Sequence, residues 1–335
     1  MNIHSKLTIG ALLLSFTLIA ACKKDQTNAA KAPDLGLTKI TVFAGSGSAG
    51  NADGPATTAT FDQIWAIALD AAGNAYTVDS SRIRKITPAG VVSTLQDSPN
   101  AAGGTLFADA DGIAIDGAGN FYVSYSAAHC IRKISPDGKT GVVFAGMPGV
   151  DGYKDGTGTD ARFEVPVGLA ADAAGNIYVA DDGNGSVRKI TPSGGVSTLA
   201  GNGSFGSADG TGADASFFEP YGLAFDKSGN LFVADAANNK IRKVTPTGVV
   251  TTVAGGPSFN SPSGLAVADD GTIYVCDYGS ASIIKVSTGG QLSILGRDIF
   301  YYGFFGPTDI VADKTGGLLM VDRGNNQIKK IIPAK

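Results

Sequence analysis

The chain has 335 residues, is 43% hydrophobic and 17% charged, and carries a formal net charge of −4, which is enough for one large domain or two ordinary ones with a sizeable core. The balance of charge is mildly acidic and no basic cluster occurs, so nucleic acid is excluded as a partner, because phosphate binding needs concentrated Lys and Arg. The 47 glycines lie between regularly spaced apolar runs, which indicates many turns and an all-β protein.

The first residues have the pattern of an export signal. Lys6 precedes an apolar run from Leu7 to Ala21, and Cys22 follows the run. The run is short for a membrane span and suits the core of a signal peptide. Its last residues, "IAAC", resemble the lipobox of bacterial lipoproteins, and this resemblance implies cleavage before Cys22 and lipidation of that residue. The alternative is an ordinary signal peptide in which the Cys occurs by chance.

These features divide the chain into a lipoprotein signal peptide at 1–21, a polar lipidated tether at 22–36 and a folded domain at 37–335. The "CKKD" that begins the tether resembles the start of surface-exported bacterial lipoproteins. We therefore expect a monomer that is held at the outer membrane by its lipid alone, facing either the periplasm or the outside.

Six copies of one unit follow the tether. They are "IWAIALDAAGNAYTVD" (64–79), "DGIAIDGAGNFYVSY" (111–125), "VGLAADAAGNIYVAD" (167–181), "YGLAFDKSGNLFVAD" (221–235), "SGLAVADDGTIYVCD" (263–277) and "TDIVADKTGGLLMVD" (308–322). Each copy predicts four strands, which in the fourth copy are "GLAFD", "LFVAD", "KIRKVT" and "VVTTVAG". Strand one is built of small residues and should be innermost, where the sheets converge. Strand two is apolar on both faces, as expected between neighbouring sheets.

The sixth copy has only its first three strands. Residues 37–45, "LTKITVFAG", match the fourth strand "GVVTTVAG" at 248–255. The sequence therefore predicts that the N-terminal strand completes the last sheet, which closes a ring and removes two exposed sheet edges.

The recurring pattern Pro-x-Gly-Leu-Ala-x-Asp-x-x-Gly-Asn-x-Tyr-Val-Ala-Asp, followed by Asn-x-x-Ile-Arg-Lys and Val-x-Thr-Val-Ala-Gly, resembles NHL repeats from about residue 37 to the end. This resemblance implies a six-bladed β-propeller with four-stranded blades, the last of which is closed by the N-terminal strand. Two positions depart from the pattern: Tyr125 replaces the Asp that ends strand two, and Ile284 replaces the Arg of strand three.

Positions that agree between copies are interpreted as scaffold. Five copies end strand two with Asp, which favours turns and satisfies nearby backbone N–H groups, although a ring of carboxylates could also bind a metal. The Arg side chains of strand three are expected at strand edges, either paired with carboxylates or solvated. These residues are Arg84, Arg132, Arg188 and Arg242.

Three glycine-rich connections, at 45–61, 146–163 and 201–217, also resemble one another. We interpret them as surface loops that each insert a Phe between blades, with ligand contact as the alternative. The two cysteines of the folded domain, Cys130 and Cys276, are expected to be buried or half-buried free thiols, because the repeats place them in blades far apart.

Positions that differ between copies are more informative about function. Just before strand one, at the entrance to the central channel, the sequence places its only Trp, a Tyr and several carboxylates. Aromatic faces beside polar groups suit a sugar, a peptide or a small polar ligand. The alternative is a tolerant rim without function. The candidate ligand-binding residues are Trp65, Asp111, Tyr221, Glu219 and Glu164.

Two functions remain open. We favour a non-enzymatic binding or scaffold module of the cell envelope for a protein, glycan or small polar ligand, with no catalytic residues, no resident metal and no cofactor. The alternative is a calcium-dependent hydrolase or lactonase of the gluconolactonase-like type, with calcium held by Glu164, Glu219, Asn260 or Asp111. A multi-His zinc site is excluded, because the mature chain keeps only His129.

A Cys22→Ala variant tests the lipid anchor. We expect wild-type cells grown with a labelled fatty acid to incorporate label into the protein and the variant to incorporate none, because the acyl chains are attached to Cys22. A variant that still takes up label would rule out lipidation at this residue.

Overall fold

A computed structural model describes residues 37–80, 82–95, 110–297 and 304–333. The predicted signal peptide and tether, including Cys22, lie outside the described residues. Within the described ranges, no helix is long and apolar enough to cross a membrane.

Six antiparallel sheets form the blades. The first strand of the chain, β1 (Leu37–Ala44), belongs to blade 6. Blade 1 contains β2 (Ile64–Leu69), β3 (Ala75–Asp79), β4 (Arg82–Ile86) and β5 (Val92–Leu95). Blade 2 contains β6 (Gly112–Ile115), β7 (Phe121–Tyr125), β8 (Cys130–Ile134) and β9 (Gly141–Ala145). Blade 3 contains β10 (Gly156–Thr157), β11 (Pro166–Ala171), β12 (Ile177–Asp181), β13 (Ser186–Ile190) and β14 (Gly195–Ala200).

The other three blades continue the pattern. Blade 4 contains β15 (Gly210–Thr211), β16 (Pro220–Phe225), β17 (Leu231–Asp235), β18 (Lys240–Val244) and β19 (Val249–Gly255). Blade 5 contains β20 (Pro262–Val267), β21 (Ile273–Asp277), β22 (Ser282–Val286) and β23 (Leu292–Arg297). Blade 6 contains β24 (Pro307–Ala312), β25 (Leu318–Asp322) and β26 (Gln327–Pro333), with β1 as its fourth strand. The predicted six-bladed β-propeller is therefore confirmed.

The Asp-x-x-Gly-Asn segments form the hairpins between strands one and two. In blade 1, the carboxylate of Asp70 accepts hydrogen bonds from the backbone N–H of Ala72 and of Asn74 and from the Asn74 side chain. Gly73 has φ +82°, a left-handed conformation that glycine adopts without a steric cost. Asp116, Asp172 and Asp226 make the same contacts in blades 2 to 4.

Small residues let the blades converge at the centre. A Cβ atom added to Gly112, Gly168 or Gly222 would overlap the backbone of the next blade. Every residue of each second strand is buried, and apolar side chains from adjacent blades form a shared core at each of the six blade interfaces. These observations agree with the predicted positions of strands one and two.

The ring is closed by strand pairing. β1 runs antiparallel to β26, with a register from Leu37 opposite Pro333 to Ala44 opposite Ile328. The N-terminal strand is thus the outermost strand of blade 6, as predicted, and the first and last described segments share one sheet.

The strand-three arginines of blades 1, 3 and 4 are fully buried and paired with carboxylates. This confirms the first of the two predicted alternatives, pairing, and excludes the second, solvation, for these three residues. In blade 4, Arg242 donates to Asp235 at 2.7 Å and to Asp209 at 2.7 Å. Its guanidinium also lies 5.2 Å from the ring centroid of Phe217. Arg84 and Arg188 make equivalent contacts in blades 1 and 3.

The glycine-rich loops are held to the blade by these arginines. In blade 4, Asp209 accepts from Arg242 and from the backbone N–H of Thr252 at 3.0 Å, and β15 pairs with β19 as a short fifth strand. Phe217 at the end of this loop is fully buried between blades 3 and 4. Phe61 and Phe163 are buried in the same way, which confirms their predicted placement. The fifth strand was not predicted.

Substituting Arg242 tests the importance of these contacts. We expect Arg242→Met to lower the free energy of unfolding by about 3 kcal/mol, because removing one partner of a buried ion pair leaves the carboxylate of Asp235 without its cation. Urea denaturation measures the change. Lys139→Met is the control, because Lys139 is exposed and makes a surface ion pair with Asp137. Equal stability of the two variants would show that the buried pair is not needed.

Candidate functional site

Strand one of each blade lines a central channel of about 330 Å³. The end of this channel at which the first strands begin is called the mouth. Trp65, Asp111, Tyr221 and Thr308 line the channel at the mouth, whereas the equivalent Val167 and Ser263 do not. The structure therefore brings three of the five predicted rim residues to the channel wall.

A repeated turn leads the chain into each first strand at the mouth. In blade 4, the N–H of Phe218 donates to Asp235 at 2.8 Å, and the carbonyl of Glu219 accepts from the N–H of Ala236 at 3.1 Å. Glu219 has φ +56°, in the left-handed region. The same conformation occurs at Gln63, Val165 and Ser261 in other blades. The aspartates that end strand two thus hold the turns that present the mouth residues, which confirms their structural interpretation.

Carboxylates converge on one side of the mouth, from blades 2 to 4. Burial raises the pKa of Asp182 to about 8, and the negative charges of Glu219, Asp181, Asp111 and Glu164 add to this increase. The two predicted glutamates lie outside the channel wall but within electrostatic range of Asp182. Asp182 was missed, although the sequence carried a signal: the position directly after strand two varies between blades.

The opposite side of the mouth, from blades 6 and 1, carries a positive charge. The guanidinium of Arg323 lies 3.8 Å from the ring centroid of Trp65 and donates to the side chain of Gln63. One face of Trp65 is therefore covered by the arginine, whereas the sequence predicted an aromatic face open to a ligand. Arg323 occupies the same variable position as Asp182 and was also missed.

Tyr221 lies in the field of both charged sides. Burial and the charges of Asp111, Asp182 and Asp309 raise the pKa of its phenol, and Arg323 acts in the opposite direction. The hydroxyl is protonated at neutral pH, as in an ordinary tyrosine, and can donate a hydrogen bond.

Asp309 and Thr308 complete the wall in blade 6. Asp309 occupies the position of the channel glycines and accepts from the N–H of Ile67 in blade 1 and from its neighbour Ile310, both at 2.9 Å. Burial raises its pKa to about 7. Thr308 is 1% exposed, and its hydroxyl has no hydrogen-bond partner within the described ranges.

Other predicted candidates lie elsewhere. Cys130 and Cys276 are free and fully buried, as expected. His129 accepts a hydrogen bond from the N–H of Val165 at 3.2 Å, so this imidazole is part of the scaffold. Within the described residues, no three His, Cys, Asp or Glu side chains are placed to hold a metal ion.

Comparison with known sequences identifies the repeat. Residues 259–285, in blade 5, match the NHL repeat model. The chain is similar to SUPPRESSOR OF QUENCHING 1 of Arabidopsis thaliana, with 39% identity over 94 residues, and to human NHL repeat-containing protein 2, with 34% identity over 125 residues. These matches cover 28% and 33% of this chain, but only 9% and 17% of those longer proteins. The predicted resemblance to NHL repeats is thus confirmed, with the match to the repeat model lying in blade 5.

Solved structures share the fold. An auxiliary nutrient binding protein from Bacteroides thetaiotaomicron superposes with a TM-score of 0.66 at 15% identity, over 88% of this chain and 76% of that one. A gluconolactonase from Xanthomonas campestris superposes with a TM-score of 0.61 at 17% identity, over 92% and 93% of the two chains. At these identities the likeness shows the fold alone.

The raised pKa of Asp182 predicts a pH-dependent stability. The unfolded chain ionises near the ordinary value of 3.8 and the folded chain near 8, so the free energy of unfolding falls as the pH rises between these values. Asp182→Asn removes this loss. We expect the variant to melt above the wild type at pH 9, with a smaller difference at pH 5. A gain of about 1 kcal/mol corresponds to about 2 °C in Tm for a domain of this size.

The matched control for this measurement is Asp214→Asn, which removes an exposed carboxylate from the short 3-10 helix Gly212–Asp214. It should show the same small difference from the wild type at both pH values. If Asp182→Asn behaves like this control, the carboxylate of Asp182 ionises normally and the acidic side of the mouth is well solvated.

Proposed function

We propose that this NHL-repeat propeller is a lipid-anchored, non-enzymatic binding protein of the cell envelope. It binds a small polar ligand at the mouth of its channel. The observation that carries the proposal is the composition of the mouth. Trp65, Asp111 and Tyr221 line the channel wall together, at positions whose side chains differ from blade to blade.

The size of the channel favours a small ligand. Its volume of about 330 Å³ lies at the lower end of the range found for small-molecule sites, roughly 300–1,000 Å³. A folded protein or a long glycan would contact the outer surface of the ring and would not need the inward-facing residues. The structural neighbour from Bacteroides thetaiotaomicron is an auxiliary nutrient binding protein, which supports the proposal that this propeller binds a small molecule.

The location of the protein is part of the same proposal. The signal pattern that ends at Cys22 supports export and acylation, and the polar residues after it support a tether at the outer membrane. A monomer suffices for this role, because all the mouth residues come from one chain.

Binding can be measured through the single Trp of the chain. We expect the fluorescence of Trp65 to change and saturate when the protein is titrated with triglycine or with maltotriose, whichever class it binds. Calorimetry with the same probes should show at least a tenfold weaker affinity for the double variant Trp65→Ala/Asp111→Ala, with Asp214→Asn as the control. Unchanged affinity of the double variant would exclude the mouth as the binding site.

A calcium-dependent hydrolase is the second candidate, because carboxylates gather at the mouth and the gluconolactonase shares the fold. However, no three of the described carboxylates converge closely enough to form a ready metal site. Calorimetry with calcium chloride separates the two functions: tight stoichiometric binding favours the hydrolase, and no heat favours the binding protein.

A further inference from the structure

Charge is distributed unequally around the mouth. The carboxylates of Asp111, Glu164, Asp182 and Glu219 come from blades 2 to 4, and the guanidinium of Arg323 comes from blade 6. Asp309 of blade 6 also lies on the wall, but its two oxygens accept from the backbone N–H groups of Ile67 and Ile310. We infer that the ligand of the mouth is a small zwitterion of the size of a di- or tripeptide, with its ammonium group on the acidic side and its carboxylate near Arg323. This inference rests on the proposed function and names the class of ligand.

The acidic side favours a cation. Glu164 and Glu219 face Asp182 from the lead-in turns of blades 3 and 4, and Asp111 faces it from blade 2. All of these neighbours disfavour the charged form of Asp182. A ligand ammonium would relieve this repulsion and can donate up to three hydrogen bonds to such a cluster.

The basic side favours an anion. Arg323 is held by stacking on Trp65 and by its hydrogen bond to Gln63, neither of which brings a negative charge to the guanidinium. Its Nε is buried and has no hydrogen-bond partner among the residues that the structure describes. A guanidinium fixed in one plane is suited to a carboxylate, which accepts two parallel N–H donors. Among the described residues, no ion pair joins Arg323 to a carboxylate.

Two polar side chains of the channel wall, Thr308 and Tyr221, lie between the acidic side and the basic side of the mouth. Each is the second residue of the first strand of its blade. The buried hydroxyl of Thr308 has no partner among the described residues, and the hydroxyl of Tyr221 is protonated at neutral pH and can donate a hydrogen bond. A peptide unit supplies both a donor and an acceptor for such groups. A tripeptide spans at most about 10 Å when extended, which is compatible with the small channel. A neutral sugar would gain less, because Arg323 already covers one face of Trp65.

The test uses four probes that differ in charge: triglycine, N-acetyltriglycine, triglycinamide and maltotriose. Titration of the full-length mature protein is followed by Trp fluorescence and by calorimetry. We expect triglycine to bind, and we expect loss of either charged end to weaken binding about tenfold or more, as for one charge-assisted contact. Maltotriose should bind more weakly than triglycine.

Two single variants assign each end of the probe. Asp182→Asn should weaken binding of the two probes with a free ammonium group and leave N-acetyltriglycine unaffected. Arg323→Gln should weaken the two probes with a free carboxylate and leave triglycinamide unaffected. Asp214→Asn should change none of the affinities. Circular dichroism and Tm establish that each variant is folded, so that a selective loss reports on the contact.

The outcomes separate this inference from the proposed function. If N-acetyltriglycine or maltotriose binds as tightly as triglycine, the mouth binds a ligand but the zwitterion inference is wrong. Equal effects of either variant on all probes would also overturn the inference. If none of the four probes changes the fluorescence of Trp65 or produces heat, both the inference and the proposed uptake of small ligands are rejected.

Discussion

The rest of the molecule depends on one repeated interaction, which is made by the buried aspartate at the end of strand two. In five blades, its Oδ1 accepts the backbone N–H of the turn that leads into strand one, at 2.7–2.8 Å. Its other oxygen is bound by a buried Arg, a Lys or a Ser, depending on the blade. A buried carboxylate is costly unless its oxygens are hydrogen-bonded. This requirement fixes the lead-in turn, the loop and the strand in one arrangement.

The same interaction separates the scaffold from the site. Because backbone and carboxylate define the turn, the side chains next to it are free to differ from blade to blade. The left-handed residues in these turns include Val165, a β-branched residue for which φ +54° is unusual. Such backbone strain persists where surrounding contacts determine the conformation. The mouth therefore combines a backbone that is fixed in each blade with side chains that differ between blades. A selective binding site needs this combination.

The sequence was sufficient for most of the fold, because repeats, small first strands and turn residues report on local constraints. The pairing of β1 with β26 followed from comparing one missing strand with one surplus strand. The sequence was not sufficient to predict side-chain contacts between distant segments. The burial of Arg242 depends on an aspartate 33 residues away in a loop, and the Arg323–Trp65 contact joins the two ends of the ring. Asp182 became a candidate only when its neighbours from other blades were known.

The position of β1 has a mechanical consequence. Whatever precedes Leu37 is attached to the outermost strand of blade 6, so tension from that direction reaches the ring first through the β1–β26 pairing. A pull along the strand loads all of its backbone hydrogen bonds at once in shear, whereas a sideways pull would open them one after another. The direction in which the segment before Leu37 leaves the ring thus determines the force at which the β1–β26 pairing breaks and the ring opens.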